Sequence, residues 1–285
     1  MARLQSRETL PSAHRSDLRL VEVTAWRFER GSSTARAESI AIEEPLEIRL
    51  GGRRFTLTMR TPGHDDELAA GFLLAEGFIE DRDELGEVRR LRDSSGRPQP
   101  NALDVVLNVS AEANRRRLRR NFAISSSCGV CGKSSIEALH RRLRAVDSLL
   151  TVQASTILSL PGAMRSAQEV FASTGGLHAA ALFDSAGTLK IIREDVGRHN
   201  AVDKVVGHSL LRASLPLSNS MLLVSGRVSF EIVQKAAAAG IPILTAISAP
   251  SSLAIELAAS LGVTVIGFLR ESSMNIYSYH RRVLP

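Results

Sequence analysis

Met221-Leu222-Leu223-Val224, Phe230-Glu231-Ile232-Val233-Gln234-Lys235-Ala236-Ala237-Ala238-Ala239, Ile243-Leu244-Thr245-Ala246-Ile247, Leu253-Ala254-Ile255-Glu256-Leu257-Ala258-Ala259-Ser260-Leu261 and Val263-Thr264-Val265-Ile266-Gly267-Phe268 follow one another with only short breaks. The first, third and fifth runs are short and continuously apolar, as strands buried on both faces are. The second and fourth carry their apolar residues at helical spacing. Strand alternating with helix predicts parallel strands joined by crossovers. Upstream, the pattern continues as a helix over Asn200–Leu211, strands Ala179–Phe183 and Leu189–Ile192 around Ser185-Ala186-Gly187, and a helix over Pro161–Ala172 stopped by Gly175-Gly176. The second half thus reads as an α/β unit with a mixed, largely parallel sheet covered by helices.

The first half reads as a smaller α+β region. An alternating run spans Leu18–Phe28, and Leu46–Leu50 joins Phe55–Met59 across Gly51-Gly52 as a hairpin. After the Thr61-Pro62-Gly63 turn, Leu68, Phe72 and Leu73 recur at helical spacing up to Phe78, and a strand follows at Leu103–Val109. Next comes an arginine-dense helix with Arg115, Arg116, Arg117, Arg119 and Arg120. The organisation expected is a disordered tail over 1–17, an α+β region over 18–150 and an α/β domain over 151–285.

The 285 residues are 44% hydrophobic, enough for a sizeable core, and carry a net charge of +6 that favours anionic partners. Only four of the 36 basic residues are lysines, and arginine is the better bidentate phosphate ligand. Aromatic residues are 4%, too few for the stacking surfaces of single-strand nucleic-acid binders, and no nucleic-acid partner is expected. No run approaches a membrane helix and the N-terminus lacks the apolar core of a secretory signal, so a cytoplasmic, membrane-free protein is expected.

The two cysteines, Cys128 and Cys131, stand in Ser125-Ser126-Ser127-Cys128-Gly129-Val130-Cys131-Gly132. Two are too few for a disulfide framework, and small flanking residues leave the sulfurs accessible. Ser134 and Glu137 have capping-box spacing, so a helix N-terminus beside Lys133 favours the thiolate. A thiolate can take a sulfane sulfur from a persulfide, and the second cysteine can resolve the adduct. Structural zinc would need four ligands, and neither a second cysteine pair nor a His-x₃₋₅-His partner is present, so no metal is expected. A dithiol oxidoreductase stays open on CxxC alone.

Three strands of the second half end in polar loops: Ser225-Gly226-Arg227, Ser248-Ala249-Pro250-Ser251-Ser252 and Gly267-Phe268-Leu269-Arg270-Glu271-Ser272-Ser273. Parallel strands place such loops on one sheet edge, where helix N-termini, glycine and arginine suit phosphate. Ordinary capping accounts for any one of them alone. The segment Arg193-Glu194-Asp195-Val196-Gly197-Arg198-His199-Asn200-Ala201-Val202-Asp203-Lys204 suits a polar constellation or a charge-paired connection, and His178 reads as a structural histidine.

The ordered set Ser127-Cys128-Gly129-Val130-Cys131-Gly132, Thr174-Gly175-Gly176-Leu177-His178, Arg193–Lys204, Ser225-Gly226-Arg227 and Met274-Asn275-Ile276-Tyr277 resembles the FdhD family, over about Leu18–Arg282. The resemblance implies a sulfurtransferase that accepts sulfur from a cysteine desulfurase as a cysteine persulfide. It passes the sulfur to the molybdenum cofactor, bis-molybdopterin guanine dinucleotide, before insertion into formate dehydrogenase. It also implies a homodimer and a second half similar to the cytidine deaminase fold. Deaminase chemistry is not implied, because Ala180 stands where the motif glutamate would follow His178. Carried over, Cys128 is the persulfide-bearing catalytic residue and Cys131 its partner. Phe268, Leu269, Arg270, Glu271, Ser272 and Ser273, with Gly226 and Arg227, bind the cofactor. The alternative is a non-catalytic chaperone of the cofactor or the apo-enzyme, with a redox-sensing CxxC.

Overall fold

A computed structural model describes residues 17–109 and 143–285 of the chain. It opens with an antiparallel ribbon, β1 (Leu20–Glu29) on β2 (Ser32–Ala41), paired from Leu20↔Ala41 to Glu29↔Ser32. The reading above has no counterpart of β2, because Ser32–Ala41 is mostly exposed and carries no apolar alternation to reveal a strand. The hairpin of β3 (Glu44–Leu50) and β4 (Arg53–Arg60) forms as read, with Gly51 and Gly52 at φ 56° and 82°, the conformation a two-residue hairpin turn requires. With β5 (Leu85–Arg92) and β6 (Pro98–Leu107) it makes a four-stranded sheet in the order β4-β3-β6-β5. The inner face of this sheet, Leu46, Ile48, Leu50, Leu103 and Val105, is buried in one core with Leu68, Leu73 and Leu74 of α1 (Asp65–Ala75).

The second half is built on a six-stranded sheet. Its strands are β8 (His178–Asp184), β9 (Leu189–Asp195), β10 (Ser220–Val224), β11 (Ile243–Ala246), β12 (Thr264–Gly267) and β13 (Asn275–Ile276), in the order β13-β12-β11-β10-β8-β9. The expectation of a largely parallel sheet needs correction. Only β10–β11 and β11–β12 are parallel, while β8–β9, β8–β10 and β12–β13 are antiparallel. Apolar alternation distinguishes strand from helix but does not set strand direction, and the Asp184–Gly187 turn reverses the chain where a crossover would have kept it parallel. The architecture is mixed α/β with several sheets, and two short strands, β7 (Val152–Gln153) and β14 (Val283–Leu284), pair the start of this half with the chain end.

Helices cover both faces of the six-stranded sheet. On one side α2 (Ala154–Ala167) buries Ile157, Leu160 and Met164 against Met221, Leu223, Ile243 and Ile266. The expected Pro161–Ala172 helix is displaced. Burial of Ile157 and Leu160 carries α2 back to Ala154 with Pro161 inside it, and a separate α3 (Glu169–Thr174) ends at Gly175, φ 64°. On the other side lie α4 (Arg198–Leu211), α5 (Phe230–Ala238) and α6 (Ser252–Leu261), whose apolar residues share a core with Leu222, Val224, Leu244 and Val265. Helix α1 crosses α4 at Gly71 and Gly207, where a Cβ would fall on the carbonyl oxygen of Asp203 or Glu67.

Charged side chains fasten α1 and the Thr61 turn to the second half and join two of its helices. Arg193 of β9 forks onto Glu67 of α1 at 2.6 and 2.8 Å. Lys204 of α4 reaches Asp195 at 2.6 Å and the Thr61 carbonyl at 2.9 Å, both within the buried interior. Lys235 of α5 holds Asp203 of α4 at 2.7 and 2.9 Å.

Candidate functional site

Strand direction decides what meets at one end of the six-stranded sheet. Strands β9, β10, β11 and β12 run the same way, so Asp195, Val224, Ala246 and Gly267 end on one edge, and antiparallel β8 begins there with His178, opposite Asp195. Helices α4, α5 and α6 start from this edge, at Gly197, Ser229 and Ser251, so the positive dipole ends of three helices surround it. The three polar loops do share the edge, as expected.

Gly226 and Arg227 leave the end of β10. The Ser225 N–H donates to the Ala179 carbonyl at 3.0 Å and its Oγ accepts from the Ala179 N–H at 2.9 Å, which locks this turn to the first residues of β8. A Cβ on Gly226 would meet Arg198 Cδ and His178 Nδ1, each at 3.5 Å, so a side chain from α4 and one from β8 flank the glycine. Arg227 is exposed. The next loop is tied by Val228 N–H to Ala249 O at 3.2 Å and Ser251 N–H to Val228 O at 3.0 Å. Ser251 caps α6 through the Ala254 N–H at 3.3 Å, so this serine serves the helix start.

The 268–273 segment divides in two. Leu269 is fully buried and belongs to the core, so only its backbone faces the edge. Phe268 stands 44% exposed at φ 52°, held by its N–H to Ser248 O at 3.1 Å, and Glu271, Ser272 and Ser273 are exposed. Arg270 is exposed but its Nη1 donates to the carbonyls of Ile247 at 2.6 Å and Leu269 at 2.8 Å. Gly267 admits no side chain, because a Cβ would lie 2.8 Å from Pro250 Cδ and 3.1 Å from the Tyr277 ring. The segment therefore presents an aromatic ring and serines from a close-packed base.

The 193–204 segment resolves mostly into structural pairs. Asp195 accepts from Thr61 N–H, Gly197 N–H, Asn200 Nδ2 and Lys204, a full set of partners for a buried carboxylate. His199 Nε2 lies 2.9 Å from Glu231 Oε2 and 3.2 Å from Ser229 Oγ, and this hydrogen bond holds the Glu231 carboxyl below its ordinary range. What the segment leaves for the edge is Arg198, whose Nε is buried with no hydrogen-bond partner among the described residues. Beside it, burial first and then the Arg198 charge push the His178 imidazole below its usual pKa, so it is neutral near pH 7. Sequence reasoning set His178 aside as structural and did not single out Arg198. The signal that could have found them is the strand direction that places β8's start beside β10's end.

Cys128 and Cys131 lie outside the described residues. Asn108 and Leu143, close to where the two described spans end and resume, sit toward the opposite end of the strands. Asn108 bonds to Glu84 and Asp83, and Val146 to Leu261 at the last turn of α6. A cleft of about 990 Å³ lies there among the C-terminal ends of α1, α4 and α5, with Leu143 and Arg144 on its rim. Among the described residues no His/Cys/Asp/Glu group has a metal-holding arrangement, and no helix is long and apolar enough to cross a membrane.

The profile of the FdhD/NarQ family matches residues 41–284. This chain belongs to the FdhD/NarQ family. It is 52% identical over 257 residues to the sulfur carrier protein FdhD of Mycolicibacterium paratuberculosis, covering 89% of this chain and 94% of the relative. It is 49% identical to that of Streptomyces avermitilis, over 90% and 93% of the two chains. A crystal structure from Desulfotalea psychrophila, of a protein assigned a formate dehydrogenase accessory role, superposes with a TM-score of 0.73 at 26% identity. It covers 93% of this chain and all of that one.

Proposed function

We propose that this chain is a sulfur carrier that serves a formate dehydrogenase. The observation that carries the reading is family membership, with relatives named as sulfur carriers that are about half identical over nine-tenths of both chains. In this reading Cys128 receives a sulfane sulfur from a cysteine desulfurase. Its thiolate attacks the terminal sulfur of the donor persulfide, the donor S–S bond breaks, and the electron pair leaves on the donor cysteine. Cys131 resolves the adduct by attacking Cys128 Sγ. Hydrosulfide leaves with the bonding pair, and the two cysteines are oxidised to a disulfide. The acceptor is a substrate, the molybdenum cofactor bis-molybdopterin guanine dinucleotide. The edge of three helix N-termini with Gly226, Arg227 and Phe268–Ser273 supports holding its phosphates and guanine. The chain acts as a homodimer in the cytoplasm.

The deciding experiment is mass spectrometry after incubation with a cysteine desulfurase and cysteine. One added sulfur is expected on Cys128 and none on Cys128→Ala. Cys131→Ala is expected to keep the adduct longer than wild type. Equal loading of Cys128→Ala and wild type would overturn the assignment.

A further inference from the structure

Trp26 and Phe28 of β1 are each 73% exposed. They lie at alternate positions of one strand, so both point to the same face of the β1–β2 ribbon. Directly opposite them on β2 stand Ala35 and Ser33, and the next pair on this face toward the base is Thr24 with Ala37. The face therefore carries large rings along β1, small side chains along β2 and no charged group among these residues. The charges of the same stretch are on the reverse face, where Arg27 pairs with Glu29, and Arg36 with Glu38 at 2.7 Å. The ribbon joins no other strand among the described residues. It is held at its base, where the Ile42 N–H donates to the Arg19 carbonyl at 2.8 Å and α3 packs on β2. A two-stranded ribbon with an aromatic face open to water is marginal by itself and gains from being covered.

We propose that this face packs on the same face of a second copy of the chain, through a two-fold axis running along the ribbon. The proposal rests on the homodimer of the reading above and names a surface that forms it. Such an axis lays β1 of one copy over β2 of the other. Each Trp26 then sits over the partner subunit's Ala35, and each Phe28 over the partner subunit's Ser33. Large side chains meet small ones on both halves of the contact. Glu22, the first charge on the face toward the base, falls over the partner subunit's Ser39 and not over another carboxylate. A partner of another kind would have to bring its own counterface of small residues, whereas the ribbon supplies one itself. Each strand is about 33 Å long and two strands are about 10 Å wide, so the face covers roughly 300 Å² per copy, below the about 800 Å² per partner of a standard interface. Ribbon pairing of that size gives a dimer that dissociates on dilution. The ribbon ends at Ala41, where the family profile begins its match, so this surface lies outside the family's matched core.

Trp26 is the chain's single tryptophan, so its fluorescence reports the contact directly. The full chain is followed by sedimentation over a graded concentration series, with emission and acrylamide quenching read at each point. As dimer forms, the emission is expected to shift to the blue and quenching to fall. Phe28→Ala and Ala35→Arg, which keep the tryptophan, are expected to weaken dimerisation by roughly 10-fold or more, with unchanged thermal unfolding of the dilute chain. Thr34→Glu, on the reverse face opposite Arg27, is expected to leave dimerisation as it is. If a dimer forms while Trp26 stays as quenchable as in the monomer and neither Phe28→Ala nor Ala35→Arg weakens it, the ribbon is not the interface and the homodimer reading survives. A chain that is monomeric throughout the series overturns both. Trp26 already shielded in the monomer overturns the proposal too, because the chain then covers the face itself.

Discussion

At the residue scale, the arginines that a sequence pattern groups together separate by what their guanidinium groups already touch. Arg270 is tied to the Ile247 and Leu269 carbonyls, whereas Arg227 is exposed on the loop beside Gly226. Arg227→Ala is therefore expected to weaken guanosine diphosphate by a few-fold and to reduce the salt dependence of binding without changing thermal stability. Arg270→Ala is expected to lower stability as well. Calorimetry at two salt concentrations and a melting curve separate the two. Glu67 has a different role. Burial pushes its carboxyl up, but hydrogen bonds from Arg193 and His208 outweigh burial, and the net shift is downward. A carboxylate lowered on folding contributes stability above its unfolded pKa, and that stability is lost as pH falls through the lower folded value. Urea midpoints are thus expected to drop on acidification below the ordinary glutamate range, and the drop is expected to shrink in Glu67→Gln. The buried Lys235–Asp203 pair gives a larger effect. Lys235→Met leaves the carboxylate buried without its cation and is expected to cost about 3–5 kcal/mol by urea denaturation.

At the scale of elements, two glycines in helices make opposite predictions. Gly71→Ala drives a methyl onto the Asp203 carbonyl, where backbone of α4 has no slack, and is expected to destabilise by about 3 kcal/mol or more. Gly162→Ala places a methyl 3.9 Å from Glu271 Oε1 and is expected to stabilise α2 by roughly 0.5–1 kcal/mol. Urea denaturation of both variants checks the signs, and equal signs would refute the crossing geometry. The elements that were legible are those with a strong period. The β3–β4 hairpin, α4, α5, α6 and the strands between them lie within a few residues of where alternation and turn residues put them. Among those that were not, β2 and β5 carry too little buried apolar surface for the pattern to mark them, and β7, β13 and β14 are two residues each, too short for any period. The site was legible in the same uneven way. Ser225-Gly226-Arg227 and 268–273 stand out as polar ends of apolar strands. Arg198 and His178 do not, because their meeting at the edge depends on β8 running against β10, and Leu269 falls within a polar motif although it is a core residue.

At the scale of the whole molecule, the carboxyl edge and the ends from which residues 110–142 depart lie at opposite ends of α4, α5 and α6. The longest of these, α4, has 14 residues and so spans about 21 Å. A chain of that many intervening residues can extend for roughly 100 Å, so its reach does not exclude contact with either end. Productive sulfur transfer nevertheless requires the sulfur to arrive in a near-attack position, which tethering alone does not supply. Bound cofactor is therefore expected to make the Cys128 persulfide a productive donor, while without cofactor the persulfide loses its sulfur mainly to added thiols. The test loads labelled sulfur first and adds cofactor second. It follows hydrogen exchange across 110–142 together with the label in the cofactor. Protection of that segment and labelled cofactor are expected together in wild type, and both are expected to fall when Phe268–Ser273 is altered so that the cofactor no longer binds. Labelling that proceeds equally well in the altered protein would show that the cysteines act without the edge. Protection without labelling would instead favour a chaperone that holds the cofactor and uses Cys128 and Cys131 only to sense redox state.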